Sequence, residues 1–172
     1  MPVVDSFTIL PTISTKPPAA TKNSLVAAPL FFSAVASQEA DAAVFNFGAA
    51  SSRDSVLFTA ERPGNPKSKS SDAADMDEVQ AWIAFMKEQG VSNVIALLDE
   101  NELSIYAEPG LVQIYENAGL VSLIQPMKGG NACKNIIEFV REAEAKGEKV
   151  VCHCTGGIGR AGRVAACWLM KR

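Results

Sequence analysis

The sequence predicts an α/β fold in which a central, largely parallel sheet is flanked by helices. Three observations predict it. Short apolar runs alternate with stretches whose apolar residues recur at helical spacing, an order that lays strands side by side with helices crossing between them. Gly90, Gly119 and Gly147 stand just past three of those stretches, where glycine ends helices. A length of 172 residues with 48% hydrophobic content is enough for one such domain with a sizeable core plus a tail.

The elements follow in order. Residues 1–42 carry Pro11, Pro17, Pro18, many Ser, Thr and Ala and very few charges, and read as a disordered or targeting tail. Lys16 and Lys22 precede an apolar run at 25–36 that ends in Ala34, Val35 and Ala36, the pattern of a cleavable signal or plastid-type presequence, although Pro29 interrupts it. The domain is expected over residues 43–172, with a loop at 62–71 leading into it. A helix over 74–88 places Met76, Val79, Trp82, Ile83 and Met86 on one core-facing side. A strand at 94–98, a helix at 111–118 starting near Pro109, and a strand at 120–124 come next. Asn131 is positioned to cap a helix over 132–146, and residues 149–153 read as a buried strand before a last helix at 161–171.

Between that strand and that helix lies His153-Cys154-Thr155-Gly156-Gly157-Ile158-Gly159-Arg160. A glycine-rich loop at a helix N-terminus presents backbone N–H groups to an anion. Gly156, Gly157 and Gly159 are expected to supply the positive φ values and close approach that such a curl requires. The planar guanidinium of Arg160 can grip two phosphoryl oxygens. Cys154 stands where a helix terminus and a cation favour the nucleophilic thiolate form of a cysteine.

The Cys-x5-Arg signature resembles that of the cysteine-dependent protein tyrosine and dual-specificity phosphatase superfamily. Further likeness, in Glu102-Leu103-Ser104-Ile105-Tyr106, Pro109, Tyr115, Gly119 and residues 126–130, is to its compact dual-specificity group, which includes the cyclin-dependent-kinase-associated phosphatase. The resemblance covers roughly residues 55–172 and implies a phosphatase-like fold. It implies a phosphomonoester hydrolase acting on phosphoprotein, on phosphotyrosine and also on phosphoserine or phosphothreonine. Cys154 would carry the phosphoryl group and Arg160 with residues 155–159 would bind it, without cofactor or metal.

Other readings of the loop fail on the residues. Gly157, Gly159 and Gly162 also fit a dinucleotide fingerprint, but no strand and acidic ribose ligand follow about 20 residues on. Arg160 stands where a Walker loop needs Gly-Lys-Ser/Thr. A cysteine protease needs a histidine beside Cys154; His153 is the only one, and as its strand neighbour it points to the opposite face. Cys133, Cys152, His153 and Cys154 lack the spacing of a zinc site.

Two departures from the family pattern bear on turnover. Relatives carry an aspartate on an upstream loop that protonates the leaving oxygen, whereas this chain reads Pro126-Met127-Lys128-Gly129-Gly130-Asn131, with Lys128 nearest its place. Ala161 replaces the Ser or Thr that helps the thiolate leave. Asp99, Glu100 and Glu102 are candidates for a substitute acid, against the plainer reading of a solvated acidic turn; Lys128 is either a surface lysine or an attractor of anionic substrate. These departures give a second functional reading, a weak or inactive phosphate-binding pseudophosphatase.

A net charge of −3 argues against nucleic acid or an anionic membrane as the main partner. Four cysteines without framework spacing imply a reducing, cytoplasmic setting, or a plastid or other targeted compartment if the tail is a presequence. Cys152 and Cys133 read as core cysteines, or as caps for an oxidised Cys154. The resemblance also implies helices beyond residue 172, so the C-terminus reads as truncated, with Cys167, Trp168 and Leu169 left as an exposed apolar patch on a marginally stable domain.

Overall fold

The computed structural model describes residues 44–64, 73–128 and 131–172. The expected tail at 1–42 and residues 65–71 of the loop at 62–71 lie outside the described residues. Among the described residues there are five strands, β1 (Gly48–Ala49), β2 (Leu57–Glu61), β3 (Val91–Ala96), β4 (Val121–Ile124) and β5 (Lys149–Cys154), in the spatial order β1-β2-β5-β3-β4. Only the β1–β2 pair is antiparallel; β2–β5, β5–β3 and β3–β4 are parallel. The sheet is therefore largely parallel, as the alternation of strand and helix patterns predicts.

Among the described residues five α-helices accompany it, after a 3-10 turn at Val44–Asn46: α1 (Met76–Glu88), α2 (Glu100–Leu103), α3 (Leu111–Asn117), α4 (Ala132–Ala145) and α5 (Gly159–Lys171). Asp75 caps α1 by accepting from the Asp77 and Glu78 N–H groups, an arrangement that contributes about 1 kcal/mol. Asn131 occupies the cap position of α4, yet its side chain makes no cap hydrogen bond. That expectation fails because Asn131 itself has helical φ and ψ of −99° and −3°, unlike the extended backbone of a side-chain cap.

The two faces of the sheet bury separate cores. Val79, Trp82, Ile83 and Met86 of α1 pack with Ile114 and Tyr115 of α3 on one face, and Ile136, Ile137 and Val140 of α4 pack with Val164 and Trp168 of α5 on the other. Strand alternation divides β5 between them: Val151 joins the first core, while Val150, Cys152 and Cys154 join the second.

His153 points to the first side. Its Nε2 lies 2.9 Å from the Tyr115 hydroxyl, and its ring stands edge-on to Trp82, whose Nε1 donates to the Glu61 carbonyl at 3.0 Å. Burial, aided by the charges of Arg160 and Arg62, pushes this imidazole down to about 3.

β1 and β2 were not legible as strands, and one buried carboxylate holds them to the far end of the chain. Asp54, in the turn between them, accepts from the Val56 and Leu57 N–H groups at 2.8 and 2.9 Å and from Trp168 Nε1 at 2.5 Å, and it pairs with Arg172 at 3.1 Å. Trp168 is only 1% exposed, so it does not belong to an apolar surface patch as expected. Asp54 and the overlying Arg172 guanidinium cover it. Leu169 and Met170, at 40% and 79%, are exposed.

Because His153 is held neutral, the unfolded chain takes up a proton below about pH 6.5 that the folded one refuses. Stability is therefore whole above that pH and falls as pH drops toward the folded value of about 3, by up to about 1.4 kcal/mol per pH unit. Urea unfolding should show this loss between pH 7 and pH 5, and His153→Gln should flatten it. An equal loss in the variant would place the proton uptake elsewhere.

Candidate functional site

The carboxyl ends of the parallel strands are where open α/β sheets expose loop N–H groups and helix N-termini. Cys154 ends β5, the strand between β2 and β3, opposite Glu61 of β2, and is 3% exposed. The chain then turns through residues 155–158 and enters α5 at Gly159. Ile158, at the cap position, makes no side-chain cap bond, so the first N–H groups of α5 have no partner within the helix.

Within this loop only Gly157 has the positive φ expected of all three glycines, at 77°. A Cβ there would sit 2.6 Å from the Ala60 carbonyl carbon and 2.8 Å from the Glu61 nitrogen, both backbone atoms of β2. At Gly156 and Gly159 a Cβ would meet only open space, with nothing within 4 Å. Their smallness leaves the loop's outer side uncovered rather than letting the backbone turn.

Arg160 is oriented by acceptors on three elements. Its Nη1 donates to the Leu97 carbonyl and to Glu102 Oε2, each at 2.6 Å, and its Nη2 donates to Glu102 Oε1 at 2.5 Å and to Thr155 Oγ1 at 2.7 Å. Thr155 in turn donates to Glu102 Oε1 at 2.8 Å. Glu102 is held by a capping box: its Oε2 accepts from the Asp99 N–H at 3.0 Å while Asp99 Oδ1 accepts from the Glu102 N–H at 3.1 Å. Burial works against its charge, but the Arg160 hydrogen bonds, the Asp99 N–H and the Thr155 hydroxyl hold the Glu102 carboxyl down at about 2.

These contacts correct the expectation of a substitute acid at Glu102. Glu102 is neither a proton donor at neutral pH nor part of a solvated turn; its side chain is 12% exposed and fully engaged. Asp99 pairs with Lys128 at 3.1 Å, and that hydrogen bond, with the Glu102 N–H, lowers its carboxyl as well. Lys128 is thus a surface residue by exposure, at 79%, but one placed at the site. It lines a cavity of about 240 Å³ together with Leu97, Asp99, Pro126, Met127, Arg160 and Arg163. His153, the remaining supporting candidate, lies behind the strand on the opposite face.

Two supports of the loop lie outside the Cys-x5-Arg motif. Asp-x-x-Glu at 99–102 is the spacing of a capping box and marks α2 in advance. Asn46 lies 110 positions before its partner and carries no such mark: its amide Nδ2 donates to the Gly156 carbonyl at 2.8 Å from a left-handed turn with φ of 50°. Neither Cys152 nor Cys133 stands as a cap for Cys154. Cys152 is fully buried, and its thiol is pushed well up by that burial; Cys133 lies against Cys167 instead, at 3.6 Å between sulfurs. No helix among the described residues is long and apolar enough to cross a membrane.

Residues 65–172 match the family described as Cyclin-dependent kinase inhibitor 3 (CDKN3). The Cyclin-dependent kinase inhibitor 3 of Rattus norvegicus is 32% identical over 90 residues, which make up 49% of this chain and 42% of that protein. The chain spans under half the length of the curated relatives it matches. Among solved structures, kinase associated phosphatase with its catalytic-site cysteine replaced by serine superposes with a TM-score of 0.54 at 26% identity, over 67% of this chain and 65% of that one. Tk-PTP in the active form gives 0.51 at 23% identity, over 69% of each, and shares the fold.

Gly157→Ala should destabilise the fold by about 3 kcal/mol, through the clash with β2 and the strained φ, while Gly156→Ala and Gly159→Ala should stay within about 1 kcal/mol. Chemical denaturation of the three variants checks this. Glu102→Ala should weaken vanadate binding about 100-fold by releasing Arg160 from its orientation, as calorimetric titration would show; unchanged affinity would mean that Arg160 is positioned without it.

Proposed function

Because the chain belongs to the Cyclin-dependent kinase inhibitor 3 (CDKN3) family, we propose that it is a phosphomonoester hydrolase of the dual-specificity phosphatase type, acting on phosphoprotein through a cysteinyl-phosphate on Cys154. The observation that carries this reading is the pre-oriented guanidinium of Arg160 beside the open N-terminus of α5, with Cys154 at the end of the strand that feeds it. Arg160 is held firmly charged, first by the hydrogen bonds it donates to Glu102 and then, against the cost of burial, by the Glu102 and Asp99 charges. Positively polarised donors aimed at one point stabilise the charge that gathers on a transferring phosphoryl group.

In this mechanism the Cys154 sulfur attacks phosphorus, an S–P bond forms and the ester oxygen leaves. Water then cleaves the S–P bond and releases orthophosphate. Residues 155–159 supply N–H groups to the phosphoryl oxygens, and Arg160 exchanges its Thr155 contact for the phosphate and donates to it from Nη2 and Nε. The name its relatives carry makes a phosphorylated cyclin-dependent kinase the first protein substrate to try.

A second reading, a phosphate-binding module with little or no turnover, is favoured by the protonation of the site. Asp99 and Glu102 are both held ionised, residues 126–128 contribute Lys128 rather than an acid, and Ala161 is a fully buried side chain without a hydroxyl. The leaving oxygen then takes its proton from solvent.

A positioned acid contributes about 10²–10⁴-fold, so release from p-nitrophenyl phosphate should exceed release from an alkyl phosphate by a factor of that order beyond the difference seen in an acid-bearing relative. Cys154→Ser should abolish release and keep phosphopeptide binding. Release from neither ester, with binding intact, would replace the hydrolase with the binding module.

A further inference from the structure

Cys133 and Cys167 are bystanders to the proposed chemistry, yet they are the described thiols that touch. Cys133 lies in the first turn of α4 and Cys167 in the last half of α5, two helices that pack side by side over the second core. Their sulfurs are 3.6 Å apart, and both side chains are partly exposed rather than sealed in the core. A disulfide needs about 2.05 Å, so the sulfurs must close by roughly 1.5 Å. Cys152, by contrast, is fully buried.

We propose that Cys133 and Cys167 form an oxidisable pair, a peroxide-dependent disulfide site separate from Cys154. One thiolate attacks hydrogen peroxide, forming a sulfenic acid and releasing hydroxide, which takes up the proton lost by the thiol to become water. The partner sulfur then displaces the sulfenic oxygen as a second water. In sum two thiols and one peroxide give one disulfide and two waters, with sulfur oxidised and peroxide oxygen reduced.

The bond would join the first turn of α4, which follows the segment carrying Lys128, to the helix that carries Arg160 and Arg163. Arg160 and Arg163 line the same cavity as Pro126, Met127 and Lys128, so the bond would link the helix on one side of it to the helix that follows the other. The closed loop spans 34 positions, and restricting a loop of that length in the unfolded chain stabilises the folded one.

Trypsin separates the thiols cleanly, because Cys133 falls in peptide 129–134, Cys167 in 164–171, and Cys152 with Cys154 in 150–160. The full chain carrying Cys154→Ser is treated with hydrogen peroxide, alkylated without reduction, digested and mapped by mass. The expected product is peptide 129–134 joined to 164–171, about 2 Da below the sum of the two thiol peptides. It should vanish with reductant and in Cys133→Ser, and oxidised Cys154→Ser should melt at a higher temperature than its reduced form. Full alkylation of Cys133 and Cys167 after peroxide would overturn the proposal, as would a link from either of them to peptide 150–160 in the otherwise unaltered chain. Neither result depends on whether the protein hydrolyses phosphate, which the Cys154→Ser comparison with phosphate esters decides on its own.

Discussion

The contact on which the site depends is the clasp of Glu102 on Arg160. A guanidinium at a helix N-terminus is repelled by the helix dipole and free to swing into solvent. Here two carboxylate oxygens, the Leu97 carbonyl and the Thr155 hydroxyl fix its plane. The carboxylate is itself fixed, because Glu102 closes a capping box with Asp99 and so cannot turn away without unravelling α2. Glu102 and Arg160 together therefore join the chain just past β3, a four-residue helix and the loop after β5.

That arrangement also explains why the site is poor in available protons. A carboxylate that orients an arginine must remain charged, and the acceptor geometry that keeps Glu102 ionised removes it from acid duty. Asp99 is drawn the same way by Lys128. Glu102 and Asp99 are occupied in holding positive charge in place, an arrangement that suits gripping an anion better than protonating what departs from it.

Fold and loop were legible to different depths. Apolar runs alternating with helical periodicity were enough to find β3, β4, β5 and the four longer helices, since each buries a face whose spacing is local. The strand His153–Cys154 alternation correctly sent the imidazole and the thiol to opposite faces. β1 and β2 escaped because the first has only two residues and the second reads Leu-Phe-Thr-Ala-Glu, its partners lying some ninety positions later in β5. Arg160 and Cys154 stood out by motif, whereas the part Glu102 plays depends on a fold that carries a residue from a different loop to within hydrogen-bonding distance. The glycines were misjudged for a similar reason: only β2, unseen in the sequence, shows which of the three has a backbone pressed against it.

The amide of Asn46 and the whole length of β2 lie before residue 65, where the family likeness begins. Yet β2 supplies the Ala60–Glu61 backbone against which Gly157 rests, and Asn46 tethers the carbonyl next to it. A piece of chain that keeps the anion loop in shape thus has to include Asn46 and β2, and a boundary drawn by homology alone would cut away the backbone behind Gly157 while leaving the signature motif untouched.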